Sequence, residues 1–205
     1  MRRTLLFLAL GVGLSACSST RANVGNLAHA SVTSDFQTYG LRRVGLLPFQ
    51  GDGLDVESAR ELQAAFATEL AAGSGLEIVP LAQADLEEVQ KSEPFRRGSI
   101  KPATVLALAK RFRLDGLFAG TVTDARGYAP LRLCVDLDLV ASETGLSIWS
   151  ASAQLDASDE RVRLGLEQWI QKNRAASAAN EGSEIYLMSP RRFAQFAAAQ
   201  IAALL

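Results

Sequence analysis

Cys17 follows Leu14, Ser15 and Ala16. A nucleophilic thiol behind small side chains is a position that lipid transfer and peptide cleavage can both reach. Asp136 and Asp138 stand two residues apart on an alternating stretch, about 7 Å between Cα atoms on one strand face. Paired carboxylates of that kind can do acid/base work in glycoside hydrolysis. Solvent exposure of one strand face predicts the same pattern, and Arg132 on that face would offset the charge. Cys134 has no His or basic cluster near it in sequence, so a packed thiol is expected rather than a reactive thiolate. Gly51-Asp52-Gly53 lies between a strand and a helix, but Val56 stands where a dinucleotide fingerprint needs a third glycine. Asp52, Asp55 and Glu57 lack the alternation of a Ca²⁺ loop and read as a helix cap with its acidic first turn. His29 is the only histidine; it falls in a polar stretch. Neither a Ser-His-Asp triad in the domain nor a multi-His metal site is expected. No cofactor, metal or small-molecule ligand is expected.

The segment that leads to Cys17 is a targeting signal in layout. Arg2 and Arg3 precede an apolar run from Leu5 to Leu14, and small residues close it. A helix from Leu5 to Ala16 reaches about 18 Å, short of a bilayer core of about 30 Å. Leu14-Ser15-Ala16-Cys17 resembles the lipobox of bacterial lipoproteins, which implies cleavage between Ala16 and Cys17 and acylation of the Cys17 thiol. Ser18 rather than Asp after the cysteine implies, by the same resemblance, sorting to the outer membrane.

The chain has 205 residues and a formal net charge of -1. Loss of Arg2 and Arg3 reduces 21 basic residues to 19 against 22 acidic ones. A weakly acidic chain lacks the electrostatic footprint of a nucleic-acid binder. With Cys17 committed to lipid, Cys134 is alone and forms no internal disulfide.

Residues 1–16 read as signal peptide, 17–40 as lipidated Cys17 and a short linker that meets the domain through Phe36 and Tyr39, and 41–205 as one α/β domain. Five strands are expected, over 41–49, 76–80, 117–122, 131–139 and 146–155. Helices are expected over 56–72, 81–90 and 102–112, after Ser158, and after Ser189. Asp55 reads as an N-cap and Gly73 as a stop. Val105, Leu106, Leu108 and Ala109 are expected inward on the third helix. Ser92–Ser99 and Arg174–Ser183 read as loops. Leu131, Leu133, Val135, Leu137 and Leu139 share one face, and Trp149, Ala151, Ala153 and Leu155 share another. A hairpin of two alternating strands of this length could also serve as barrel staves. One hairpin cannot close a barrel without many subunits, and its apolar face is needed to cover helices.

Three stretches carry a resemblance: Arg43-Val44-Gly45-Leu46-Leu47-Pro48-Phe49; Asp115-Gly116-Leu117-Phe118-Ala119-Gly120-Thr121-Val122; and Leu137-Asp138-Leu139-Val140-Ala141-Ser142-Glu143-Thr144-Gly145-Leu146-Ser147-Ile148-Trp149-Ser150. Together they resemble the CsgG-like domains, a group that includes LpoB and the N-terminal domain of TolB. Ser142-Glu143 replaces the usual Asp before the hairpin turn. The resemblance implies a central mixed sheet flanked by helices and an outer-membrane, periplasm-facing lipoprotein without enzymatic activity. It implies binding to another cell-envelope protein, or to itself, in peptidoglycan synthesis, assembly or export. The alternatives are a subunit of an oligomeric export channel and a small hydrolase using Asp136 or Asp138.

Overall fold

A computed structural model of the chain describes residues 24–89, 101–173 and 182–205. Ala16, Cys17 and most of the two expected loops lie outside these residues. One mixed sheet carries β1 (Ala28–Val32), β2 (Arg43–Leu46), β3 (Gln50–Gly51), β4 (Glu77–Pro80), β5 (Gly116–Arg126), β6 (Arg132–Ala141) and β7 (Ser147–Asp156). The order is β1-β7-β6-β5-β2-β4, with β3 beside β5. β2 runs parallel to β4 and β5, and the β5-β6-β7-β1 side is antiparallel. The single α/β domain with a mixed sheet is as expected; seven strands among the described residues replace five. β1 lies inside the stretch read as linker. Only Ala28 of its five residues is buried, so an edge strand of this kind leaves no apolar alternation to read. Two-residue β3 is too short for any period.

Helices cover both faces. On one side α1 (Val56–Ser74), α4 (Glu160–Asn173), α5 (Ser183–Met188) and α6 (Pro190–Ala202) close over the apolar faces of β6 and β7. There Leu137, Leu139, Trp149 and Leu155 meet Phe66, Leu166, Phe196 and Ile201 in one core. Burying each such side chain is worth roughly 1.5–3 kcal/mol. On the other side α2 (Gln83–Val89) and α3 (Pro102–Phe112) pack Leu86, Val105 and Leu108 on Leu47, Leu81 and Leu117. Buried Gln63 satisfies its amide by donating to the carbonyls of Leu46 and Leu81, at 2.8 and 2.9 Å.

Local signals behave as their chemistry dictates, with four shifts. Asp55 and Ser189 cap α1 and α6, and Pro102 and Pro190 open their helices. Gly73 does not stop α1: it lies against Ala202 of α6, and the helix ends at Gly75, whose φ of 71° suits glycine. On α3, Leu106 is exposed while Thr104 is buried. The Ser158 hydroxyl turns back to Asp156, and the Asp159 carboxylate accepts from the Arg161 amide at the start of α4. α5 begins at Ser183, the end of the stretch read as a loop.

Candidate functional site

The loop after β3, the β5–β6 hairpin and the N-termini of α1 and α6 converge on a cleft of about 260 Å³. α1 and α6 are brought there together because they run side by side in the same direction. Leu62 and Phe193 meet at the cleft, and Gly73 and Ala202 meet at the far end. Leu62, Val122, Leu131, Leu133 and Phe193 line an apolar interior. Val56, Tyr128 and Met188, at 85, 73 and 75 % exposure, each lie within two residues of a lining residue. Large apolar side chains held in water beside an apolar cleft make it the candidate binding surface.

The rim is polar and internally braced. Arg132 donates through Nε and Nη2 to Asp156 Oδ2, at 2.9 and 2.7 Å, and through Nη1 to Asp124 Oδ2, at 3.2 Å. Asp156 also accepts from the Ser158 amide and hydroxyl, at 2.8 and 2.5 Å. The Ser158 donors, then Arg132, hold its carboxyl far below the usual carboxylate range. Arg126 donates to the Pro130 carbonyl at 2.6 Å and stacks 5.8 Å from the Tyr128 ring centre. That contact steadies an aromatic on a hairpin tip. Asp55 is committed to the Ser58 amide and hydroxyl, which lower its pKa. Arg191 completes the rim. Arg126, Tyr128, Met188 and Arg191 escaped the sequence reading. The available signal was an aromatic in a Gly-Tyr-Ala-Pro turn and a Met just before the Ser189-Pro190 cap.

The residues weighed for catalysis gather on the opposite face of the sheet. His29, Ser152, Asp136 and Thr121 form one cross-strand row. His29, expected as a solvated linker side chain, is exposed, but β1 rather than a linker carries it, at the edge of the sheet. The row nevertheless places Ser152 between His29 and Asp136, and strands lie about 4.8 Å apart. Imidazole and carboxylate are therefore two strands from each other, and the histidine does not sit between acid and nucleophile as base catalysis of a serine requires. Asp138 accepts from the Ser150 hydroxyl. Arg132 does not offset Asp136 and Asp138 as expected; register delivers it to Asp156 and Asp124. Neither Asp136 nor Asp138 lines the cleft. Burial, then Asp124, pushes the Cys134 thiol up, away from thiolate character. Among the described residues no group of three or more His, Cys, Asp or Glu is placed to hold a metal ion.

The membrane hairpin has no free apolar face either. Leu133, Val135, Leu137 and Leu139 of β6 are buried in the helix-covered core. Among the described residues no helix is long and apolar enough to cross a membrane.

The chain enters the domain at the end away from the cleft. The Asn26 amide donates to the Gln200 carbonyl at 2.9 Å, and the Leu27 amide to Gln200 Oε1 at 3.0 Å. Val24, Gly25 and Asn26 share a second cleft there with Gly73, Trp169 and Ala202. The 19 residues of α1 separate the two ends by about 28 Å.

No family model matches the chain, and no curated protein matches it. Among solved structures it is similar to the PelC dodecamer of Paraburkholderia phytofirmans, with 12% identity, 66% of this chain and 85% of that chain covered, and a TM-score of 0.45. It is also similar to lipoprotein GNA1162 of Neisseria meningitidis, with 21% identity, 67% and 99% covered, and a TM-score of 0.43. LpoB of Escherichia coli, one of the proteins named in the sequence resemblance, is similar at 13% identity, 76% and 84% covered, and a TM-score of 0.38.

Proposed function

We propose that this protein is a lipid-anchored envelope lipoprotein, cleaved between Ala16 and Cys17, acylated at Cys17 and held on the periplasmic face of the outer membrane. It works without catalysis, by binding another envelope protein during peptidoglycan synthesis, assembly or export. The observation that carries the binding role is the apolar cleft, with exposed Val56, Tyr128 and Met188 each within two residues of its lining. The entry point of the chain supports the geometry. Only six residues separate Cys17 from Val24, a reach of at most about 25 Å. The tether leaves from the end of the domain opposite the cleft, about 28 Å away along α1, so the anchor leaves the cleft free for a partner.

Two measurements test this. Cys17→Ala is expected to move the protein from the membrane to the soluble fraction; continued membrane retention would refute the anchor. A photo-crosslinking residue at position 128 is expected to yield, in cells, an adduct whose mapped partner is an envelope protein. The same probe at Glu87, on the far face, is expected to yield none. Identical adducts from both positions, or none from position 128, would sink the cleft as the binding surface.

A further inference from the structure

β1 is an edge strand without the usual protections. Its sequence, Ala28-His29-Ala30-Ser31-Val32, contains no Lys, Glu or Pro, the residues that ordinarily blunt a free edge. Its pairing with β7 fixes which backbone groups are spent. The Thr33 amide donates to the Ile148 carbonyl at 3.0 Å. In an antiparallel ladder bonded pairs alternate, so Ser31 and His29 bond to Ser150 and Ser152. Ala28, Ala30 and Val32 then turn their N–H and C=O groups outward. The Ala28 amide is occupied by Asn26 Oδ1 at 2.8 Å; among the described residues those of Ala30 and Val32 are open along the edge.

The opposite edge of the sheet differs. Glu77 and Leu81 donate to Arg42 and Leu46, which leaves Ile78 and Pro80 pointing outward on β4, and Pro80 has no N–H to give. A head-to-tail chain of sheets joined β1 to β4 is therefore disfavoured. A two-fold pair is not.

We infer that two copies of this chain pair antiparallel through their β1 edges, with the two-fold axis at Ala30, so that their sheets become continuous. The register is self-complementary: Ala30 faces Ala30 of the second copy, and Ala28 faces Val32, where the Val32 amide meets the Ala28 carbonyl while the Ala28 amide stays with Asn26. Ala28 and Ala30 are small enough to admit the second backbone, and half-exposed Val32 gains a neighbour in Ala28. No like charges meet across the seam; His29 falls beside Ser31. The tethers are compatible. Antiparallel pairing sends the two chains off opposite ends of a five-residue strand about 17 Å long. The chain from Cys17 to Val24 reaches up to about 25 Å, so both anchors meet one bilayer when the seam lies along it. This surface is distinct from the cleft, and the pairing holds whether or not the cleft binds a partner.

The test is the mass of the full chain in mild detergent, by light scattering with the detergent subtracted. A two-chain particle is expected for the native protein and a one-chain particle for Ala30→Pro. Proline at position 30 removes an outward donor and spares the β1–β7 bonds, so its melting temperature should stay within a few degrees of native. A native monomer, a larger ring, or an Ala30→Pro variant that remains paired would each overturn the inference. Ala30→Cys gives a second reading that does not depend on how the proline variant folds. The Cα atoms of a bonded antiparallel pair stand about 5.5 Å apart, inside disulfide range. A disulfide-linked pair is expected for Ala30→Cys and not for native chain or Ala30→Ser; failure to link under mild oxidation would overturn the pairing.

Discussion

The ring of Phe49 lies on the backbone of Gly120. A Cβ at Gly120 would stand 2.2 Å from one ring carbon and 2.4 Å from the next. Phe49 has nowhere to retreat, since it is buried and packs at 4.8 Å on the ring of Phe66. Gly120→Ala is expected to overpack this site and cost about 2–3 kcal/mol, or roughly 4–10 °C in melting temperature for a domain of this size. Phe49→Leu placed in the same chain should restore part of that loss, because it removes the obstructing ring edge. Additive losses in the double variant would show that the two residues do not collide.

Asp115 is the next residue whose role is bonding rather than chemistry. Its Oδ2 accepts from the amides of Arg42 and Arg43, each at 2.9 Å, and its carbonyl accepts from the Ser142 amide and hydroxyl at 3.0 and 2.8 Å. One residue thus ties the start of β2 to the end of β6. Asp115→Ala is expected to cost about 2 kcal/mol, since two amides lose their acceptor. Asp115→Asn keeps an acceptor oxygen and should cost about half as much. Urea midpoints of the two variants check this; equal losses would mean that the acceptor is not what matters.

These residues explain why the fold was legible and the site was not. Phe49, Asp115, Gly120 and Trp149 carry the sequence resemblance, and each has a packing or bonding task. Trp149, for one, donates its indole N–H to the Leu204 carbonyl at 3.2 Å and meets Phe118 edge to face at 6.1 Å. Alternation in β6 named the buried face correctly, because burial on one side of a pleated strand leaves a period of two. The same alternation cannot say which residue lies opposite. Alternation alone therefore pairs Arg132 with its own strand's carboxylates, whereas the β6–β7 register places Asp156 across from it. β1 was hidden because an edge strand buries too little to be periodic. The cleft was hidden for a different reason: it is assembled from a helix start, a hairpin tip and a second helix start far apart in the chain. Each of those pieces reads locally as a cap or a turn.

Cys134 sits on the polar sheet face, half-buried and opposite Gln154. Burial and the Asp124 carboxylate both raise its thiol pKa, against a smaller opposing pull from Arg132. The thiolate fraction at pH 8 should therefore be below that of a free cysteine, and reaction with a disulfide reagent several-fold slower. The measurement is a rate profile from pH 7 to 10 in the Cys17→Ala variant, where Cys134 is the one thiol. Asp124→Asn should speed the reaction. A native rate equal to that of free cysteine would contradict the assignment.

Asp156 sets the acid limit of the cleft rim. In the unfolded chain its carboxyl titrates near about 3.9; in the fold the Ser158 donors and then Arg132 hold it much lower. The lowered folded value means that its stabilisation is complete above the unfolded pKa and drains away as pH falls toward the folded one. Asp156→Asn should therefore lower stability at pH 6–7 by roughly 1 kcal/mol, with the pair to Arg132 discounted for its solvent contact. That is about 3 °C in melting temperature. The gap between native and Asp156→Asn should narrow from pH 4 to pH 2, as protonation removes the charge the native rim relies on. Because neutral Ser158 supplies the larger share, Arg132→Gln should show a smaller gap, and salt should erode only that smaller part. A native-to-variant difference that stays constant from pH 6 to pH 2 would mean that the charge of Asp156 contributes nothing.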